Sequence, residues 1–200
     1  MPHDCRDALV IVDVQRDFLP GGALPVPGGD EVVPKLNRYL AWFEARSLPE
    51  FATRDWHPAD HASFRTRGGP WPPHCFQDTR GAAFPDELRL PDTVQIASKA
   101  TSSALDAYSA FDDKDFAARL NRAGVQRLFV GGLATDYCVL GTVRDALARG
   151  FQVPTNLSRL PPALRSLDPA VSYEVTIADS IRELAAEIDR RNESLVGSRD

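Results

Sequence analysis

The chain has 200 residues, 43% hydrophobic and 26% charged, the profile of an ordinary globular protein long enough for one substantial core. Its net charge of −5 speaks against nucleic acid or an anionic membrane surface as the main partner, and no apolar run reaches membrane-spanning length. The N-terminus lacks a basic start followed by an apolar segment, and the three cysteines (Cys5, Cys75, Cys138) are unclustered, so a reducing, cytoplasmic setting is expected rather than a disulfide framework.

Residues 8–14, ALVIVDV, are apolar and β-branched, the pattern of a strand covered on both faces, with Asp13 near its end. A carboxylate there is costly to bury unless it is paired or working. Phe18 follows, then a loop dense in glycine and proline. Residues 31–46 carry apolar side chains at helical spacing, with Asp30 as the expected cap. A second strand is predicted over 48–53, with Asp55 and His57 just past it. Residues 58–89 show no period and many prolines and glycines; so long an irregular stretch in a compact domain is usually functional. A third strand over 93–98 ends at Lys99, one of only three lysines, and a helix over 115–123 precedes a fourth strand at 127–130. Two glycines then turn the chain into a helix with Thr135 and Asp136 as expected N-caps and Cys138 in its first turn. Free N–H groups and the positive helix end favour thiolate there.

Strands alternating with helices predict an α/β domain with a parallel sheet and helices on both faces, and no linker divides the chain. Asp13, Asp55, Lys99 and Cys138 each fall at or just beyond the C-terminal end of a strand, the sheet edge where ligand crevices form. Asp-x-His on an extended segment points both side chains to one side, so Asp55 and His57, with His74, make a ligand set suited to zinc, iron or manganese with positions left open. A histidine-rich loop without metal is the alternative. His61 fits a fourth ligand or a supporting neighbour, and spacing does not separate the two. Asp13, Lys99 and Cys138 suit a nucleophilic set in which a carboxylate takes the thiol proton and an ammonium supports the thiolate. Singly, each has a plainer reading: a capping carboxylate, a lysine with a buried stem, a packing cysteine.

Five segments in register carry a more specific likeness: IVDVQRDFLPGGAL, ATRDWHPADHASF, WPPHC, a lysine followed by LDAYSAF, and GGLATDYCV. Together they resemble the nicotinamidase/pyrazinamidase family of isochorismatase-like cysteine hydrolases. The resemblance implies a three-layer α-β-α fold with a mostly parallel six-stranded sheet. It implies hydrolysis of nicotinamide to nicotinate and ammonia through a cysteine thioester, in NAD salvage, with pyrazinamide as a surrogate substrate. By motif position Asp13, Lys99 and Cys138 would be catalytic, and Asp55, His57 and His74 would hold one divalent transition metal, zinc before iron or manganese, against the pyridine nitrogen. His61 matches a histidine that joins the metal in some members. Phe18 and Trp71 would flank the ring. The Leu133-Ala134 peptide matches a position usually cis, leaving the Ala134 and Cys138 N–H groups as an oxyanion hole. Other amidohydrolases of the superfamily, acting on N-carbamoyl or ureido compounds, generally lack the Asp-x-His plus His set; a non-catalytic metal-binding member would not need Asp13, Lys99 and Cys138 together.

The C-terminal third departs from the family pattern. Residues 152–172 read as an insertion outside the sheet, followed by a strand at 173–178, a helix at 180–191 and a last strand at 194–197. The expectation is one domain over residues 1–200, with homo-oligomerisation left open.

Overall fold

The structure, a computed structural model, describes residues 7–153, and among these, four parallel strands form a sheet. They are β1 (Asp7–Val12), β2 (Glu50–Asp55), β3 (Gln95–Lys99) and β4 (Arg127–Gly132), in the order β3-β2-β1-β4. Helix α1 (Val32–Glu44) lies between β1 and β2, α2 (Phe116–Arg122) between β3 and β4, and α3 (Leu140–Ala148) follows β4. The last two strands expected of the sheet, the helix between them and residues 154–172 lie outside the described residues. Gln152, placed at the start of the expected insertion, is bonded to the sheet: its N–H donates to the Gln126 carbonyl (2.8 Å), and its own carbonyl accepts from the Leu128 N–H (2.8 Å).

All six residues of β1 are buried, as a strand covered on both faces must be. Its side chains alternate. Leu9 and Ile11 join Leu36, Leu40 and Phe43 of α1 and Phe129 of β4 in one apolar layer, whereas Ala8, Val10 and Val12 join Phe51, Phe116, Leu120 and Ala146 in the other. Phe43 and Phe51 are fully buried, each contributing about 1.5–3 kcal/mol through apolar burial. The result is helix, sheet, helix.

Two local expectations change. β2 runs two residues further than predicted, so Asp55 is its last residue instead of lying past its end. No side chain caps the segment that carries Cys138: it opens from Ala134 as a π-helical turn over Thr135–Val139 before α3 begins, and the Ala134 carbonyl accepts from the N–H groups of Tyr137 (3.1 Å) and Val139 (3.2 Å). Such wide turns are rare and recur at functional sites. Just upstream, Gly132 has φ +142° and lies so close to β1 that a Cβ would sit 2.0 Å from the Val12 carbonyl oxygen; only glycine fits.

The opposite edge of the sheet holds an acid. Glu50 opens β2 opposite Leu9, is 5% exposed, and its Oε1 has no hydrogen-bond partner. Burial, reinforced by Glu44, pushes its carboxyl from the ordinary 4.5 up to about 7. The folded state therefore keeps this proton longer than the unfolded chain, so its contribution to stability is complete below about pH 4.5 and is lost as pH rises to about 7. Glu50→Gln is expected to flatten that decline and to raise the denaturation midpoint at pH 8; denaturant titrations of both proteins across this range check it, and parallel curves refute it.

Candidate active site

Asp13, Asp55, Lys99 and Cys138 come from the C-terminal ends of four different strands or the turns that follow them, and the structure brings them together. The Lys99 ammonium lies 2.9 Å from Asp13 Oδ2, in contact with Asp55 Oδ1, and 3.4 Å from Cys138 Sγ. Carboxylate oxygens of Asp13 and Asp55 and the Cys138 sulfur all lie within 4.8 Å of one another. The cluster is dry: Asp13 is 0% exposed, Lys99 2% and Cys138 7%. Asp13 sits in the left-handed region (φ 49°), a conformation that non-glycine residues adopt at a cost and that clusters at functional sites. Its N–H donates to the Thr53 carbonyl (3.2 Å), and the Thr53 hydroxyl donates to Oδ1 (2.7 Å). That leaves Oδ2 in an ion pair with Lys99 but without an aligned hydrogen bond.

Charge in so dry a place is costly. Burial pushes the Asp13 carboxyl up, against the pull of Lys99. Burial would lower the Lys99 ammonium, but Asp13 and Asp55 together outweigh it and hold the lysine protonated. Burial likewise raises the Cys138 thiol, with Asp13 and Asp55 adding to the rise and Lys99 opposing it. The sulfur therefore rests as a neutral thiol with a carboxylate in reach, not as the standing thiolate expected from a helix start alone.

Beside this cluster Asp55, His57 and His74 converge, each buried, with ligand atoms within 4.8 Å of one another. His57 Nδ1 faces the His74 carbonyl (3.1 Å) and His74 Nδ1 faces the Pro72 carbonyl (2.7 Å). A carbonyl only accepts, so both Nδ1 atoms carry the hydrogen and Nε2 is the atom each ring has left to offer a ligand. Burial, followed by His74 and His61, lowers the pKa of His57 to about 3, so its imidazole is neutral near pH 7. Asp55 gives Oδ1 to Lys99, while Oδ2 lies 3.9 Å from His74 Nε2. Two imidazoles and one spare carboxylate oxygen suit a divalent transition metal. Charge agrees, because two buried carboxyl groups share one ammonium and a cation beside Asp55 would offset the surplus.

His61 is the exception. It is fully buried and its ring lies 4.4 Å from that of His57, yet Nδ1 meets the Ser63 hydroxyl (2.7 Å) and Nε2 donates to the Leu105 carbonyl (3.0 Å). Both of its ring nitrogens thus have partners, although a ring nitrogen of His61 also lies within 4.8 Å of ligand atoms of His57 and Asp106.

A cavity of about 260 Å³ opens above, lined by Asp55, His57 and His74 together with Phe18, Trp71 and Ala134. Asp13, Lys99 and Cys138 lie behind that lining, with the Lys99 ammonium 3.4 Å from the carbonyl of the lining residue Ala107. The Leu133-Ala134 peptide is cis, as the resemblance implies.

Four contributors escaped the sequence reading. Gln15 is fully buried; its amide accepts from the Asp55 N–H (2.7 Å) and donates to the Asp55 carbonyl (2.8 Å) and the Ala82 carbonyl (2.8 Å), gripping the strand end that carries the carboxylate. Phe64 packs against His57, His61 and His74 with ring centroids 5.2–5.7 Å away and keeps water from the ligands' outer side. Tyr108 and Tyr137 add to the cavity wall. Gln15 lies two residues after Asp13, and only the fold shows what its amide reaches.

Residues 7–154 match the isochorismatase domain family. Nicotinamidase of Escherichia coli (strain K12) is 38% identical over 167 residues, 73% of this chain and 78% of that protein. Among solved structures, the pyrazinamidase of Pyrococcus horikoshii in complex with zinc shares 52% identity with a TM-score of 0.72, covering 74% of this chain and 82% of its own. PnC1 from L. infantum in complex with nicotinate shares 34% identity with a TM-score of 0.74, covering 94% and 90%. With this fold, and at this identity over this share of its relatives, the chain belongs to the nicotinamidase/pyrazinamidase family of isochorismatase-like hydrolases.

Proposed function

We propose that the protein is a nicotinamidase that hydrolyses nicotinamide to nicotinate and ammonia, with Cys138 as nucleophile. The observation that carries this reading is the buried Lys99 ammonium touching both carboxylates and the sulfur, directly behind a small aromatic-walled cavity that also presents two imidazoles. The activity of the Escherichia coli relative and the nicotinate held by the L. infantum neighbour support the substrate. The zinc of the Pyrococcus horikoshii neighbour supports zinc as the ion held by Asp55, His57 and His74. When bound, such an ion supplies a Lewis-acidic anchor for the pyridine nitrogen.

The remaining work falls to the chain's own groups. Phe18 and Trp71 flank the planar ring and hold it at the depth where its carboxamide reaches the sulfur. Asp13 Oδ2, the oxygen free of an aligned hydrogen bond, takes the Cys138 proton as sulfur attacks the carboxamide carbon. Lys99 supports negative charge on whichever of Asp13 and Cys138 carries it. The N–H groups of Ala134 and Cys138 donate to the carbonyl oxygen as it becomes an oxyanion. Asp13 then returns the proton to the nitrogen, the carbon–nitrogen bond breaks, and ammonia leaves a thioester on Cys138. Water, deprotonated by Asp13, cleaves the thioester to nicotinate and the free thiol, which restores the starting state.

Cys138→Ala is expected to lower ammonia release from nicotinamide by at least about 10³-fold while zinc content stays at the wild-type level. Ammonia assays and elemental analysis on the same preparation check both, and persistent turnover removes Cys138 from the role. His57→Ala is expected to lower metal content and turnover together. Wild-type protein stripped by a chelator should lose activity and regain it with zinc, iron or manganese; full activity after stripping overturns the metal assignment.

A further inference from the structure

The wall of the cavity contains a side-chain hydrogen bond that the chemistry above does not use. The Trp71 indole N–H, which can only donate, gives its hydrogen to the Tyr108 hydroxyl at 3.0 Å. The main chain of Trp71 is well held, its N–H on the Ser63 carbonyl (3.0 Å) and its carbonyl accepting from Arg65 (2.7 Å). The indole is half-buried and also meets the Tyr137 ring, edge-on at 5.1 Å. Tyr108 is 36% exposed, but its main chain is anchored. Its N–H and that of Ser109 both donate to Asp112 Oδ2 (3.0 and 2.9 Å), Ser109 caps the following turn, and its Cβ packs over Gly141 of α3. Tyr108, Tyr137 and Trp71 all line the same cavity, with the two tyrosine rings 6.2 Å apart.

We propose that Tyr108 is a positioning residue: by accepting the indole N–H it fixes the rotamer of Trp71, and so sets the width of the slot that receives the flat ring of the substrate. This rests on reading the cavity as the pyridine carboxamide site. The hydroxyl also faces the Asp106 carboxyl, and its part in shaping the slot runs through Trp71, the partner that flanks the ring. Without it the half-buried indole is free to leave its rotamer, and the slot must be re-formed each time a ring enters. The cost falls on binding, with the steps at Cys138 unchanged.

The experiment uses the full-length, zinc-loaded protein and two readouts. The chain has three tryptophans, so a ¹⁵N-tryptophan sample gives at most three indole N–H signals, and loss of one in Trp71→Phe identifies that of Trp71. Tyr108→Phe is expected to shift that signal upfield and to speed its exchange with water, leaving the signals of Trp42 and Trp56 in place. With nicotinamide, Tyr108→Phe is expected to raise KM by roughly 3- to 10-fold, the scale of one neutral hydrogen bond, with kcat within about twofold. In the Trp71→Phe background the same substitution should add nothing, because its partner is gone. An unmoved Trp71 signal, a loss carried by kcat, or effects that multiply independently in the double variant each overturn the proposal. The indole signal reports whether or not nicotinamide is turned over, so an absence of hydrolysis in the wild-type protein would instead count against the substrate reading.

Discussion

One ammonium organises this molecule. Lys99, at the end of its own strand, is sealed from water and lies between two carboxyl groups and a sulfur that belong to three other strand ends. A buried cation of this kind cannot be left alone, because removing its partners would strand a charge in a medium that solvates it poorly. The four strand ends are therefore held together by electrostatics as much as by the ladder, and the sheet order β3-β2-β1-β4 follows a matching logic. It sets β1, which leads to Asp13, between β2, which ends at Asp55, and β4, which leads to the cysteine turn, with Lys99 reaching in from β3.

That arrangement divides labour between the two oxygens of Asp55. Oδ1 is spent on Lys99, and Oδ2 faces His74. One side chain thus belongs to both the proton-handling cluster and the imidazole cluster, which ties the charge of one to the occupancy of the other. Gln15 acts on this shared point: its amide continues the hydrogen-bonding pattern of the sheet past the end of β1 and holds both backbone groups of Asp55. Phe64 does the complementary task for the imidazoles with an apolar surface.

How much of this could be seen in the residues alone depended on what kind of information each carries. Asp13, Asp55, Lys99 and Cys138 were legible because apolar runs mark strands, and a polar residue ending such a run is conspicuous. The pair Asp55 and His57 was legible from alternation along an extended segment. Tyr108, in a loop without a period, and Tyr137, on the turn that carries Cys138, were not, since an aromatic residue in such a segment looks the same whether it faces solvent or a cavity. For Cys138 a helix terminus favours thiolate, but burial and two nearby carboxyl groups push the thiol the other way, a balance that needs the fold to be seen. The N-cap chemistry of Thr135 and Asp136 likewise suggested an ordinary helix start, whereas the chain makes a π-helical turn there. Local propensity does not register that the preceding strand must first clear β1.

The crowding at Gly132 has a consequence for the reaction itself. Val12, whose carbonyl oxygen leaves no room for a Cβ at position 132, immediately precedes Asp13, and Gly132 stands six residues ahead of Cys138 on the other side of the same seam. The Leu133 N–H then donates to that same carbonyl at 2.8 Å, closing the seam at its last rung. The gap between the Asp13 carboxyl and the Cys138 sulfur, across which the proposed mechanism moves a proton, is thus measured out by main-chain atoms, and the missing side chain of a glycine acts as the spacer. A methyl group there would wedge the two strand ends apart, lengthening the path a proton must cross without altering any group that carries it.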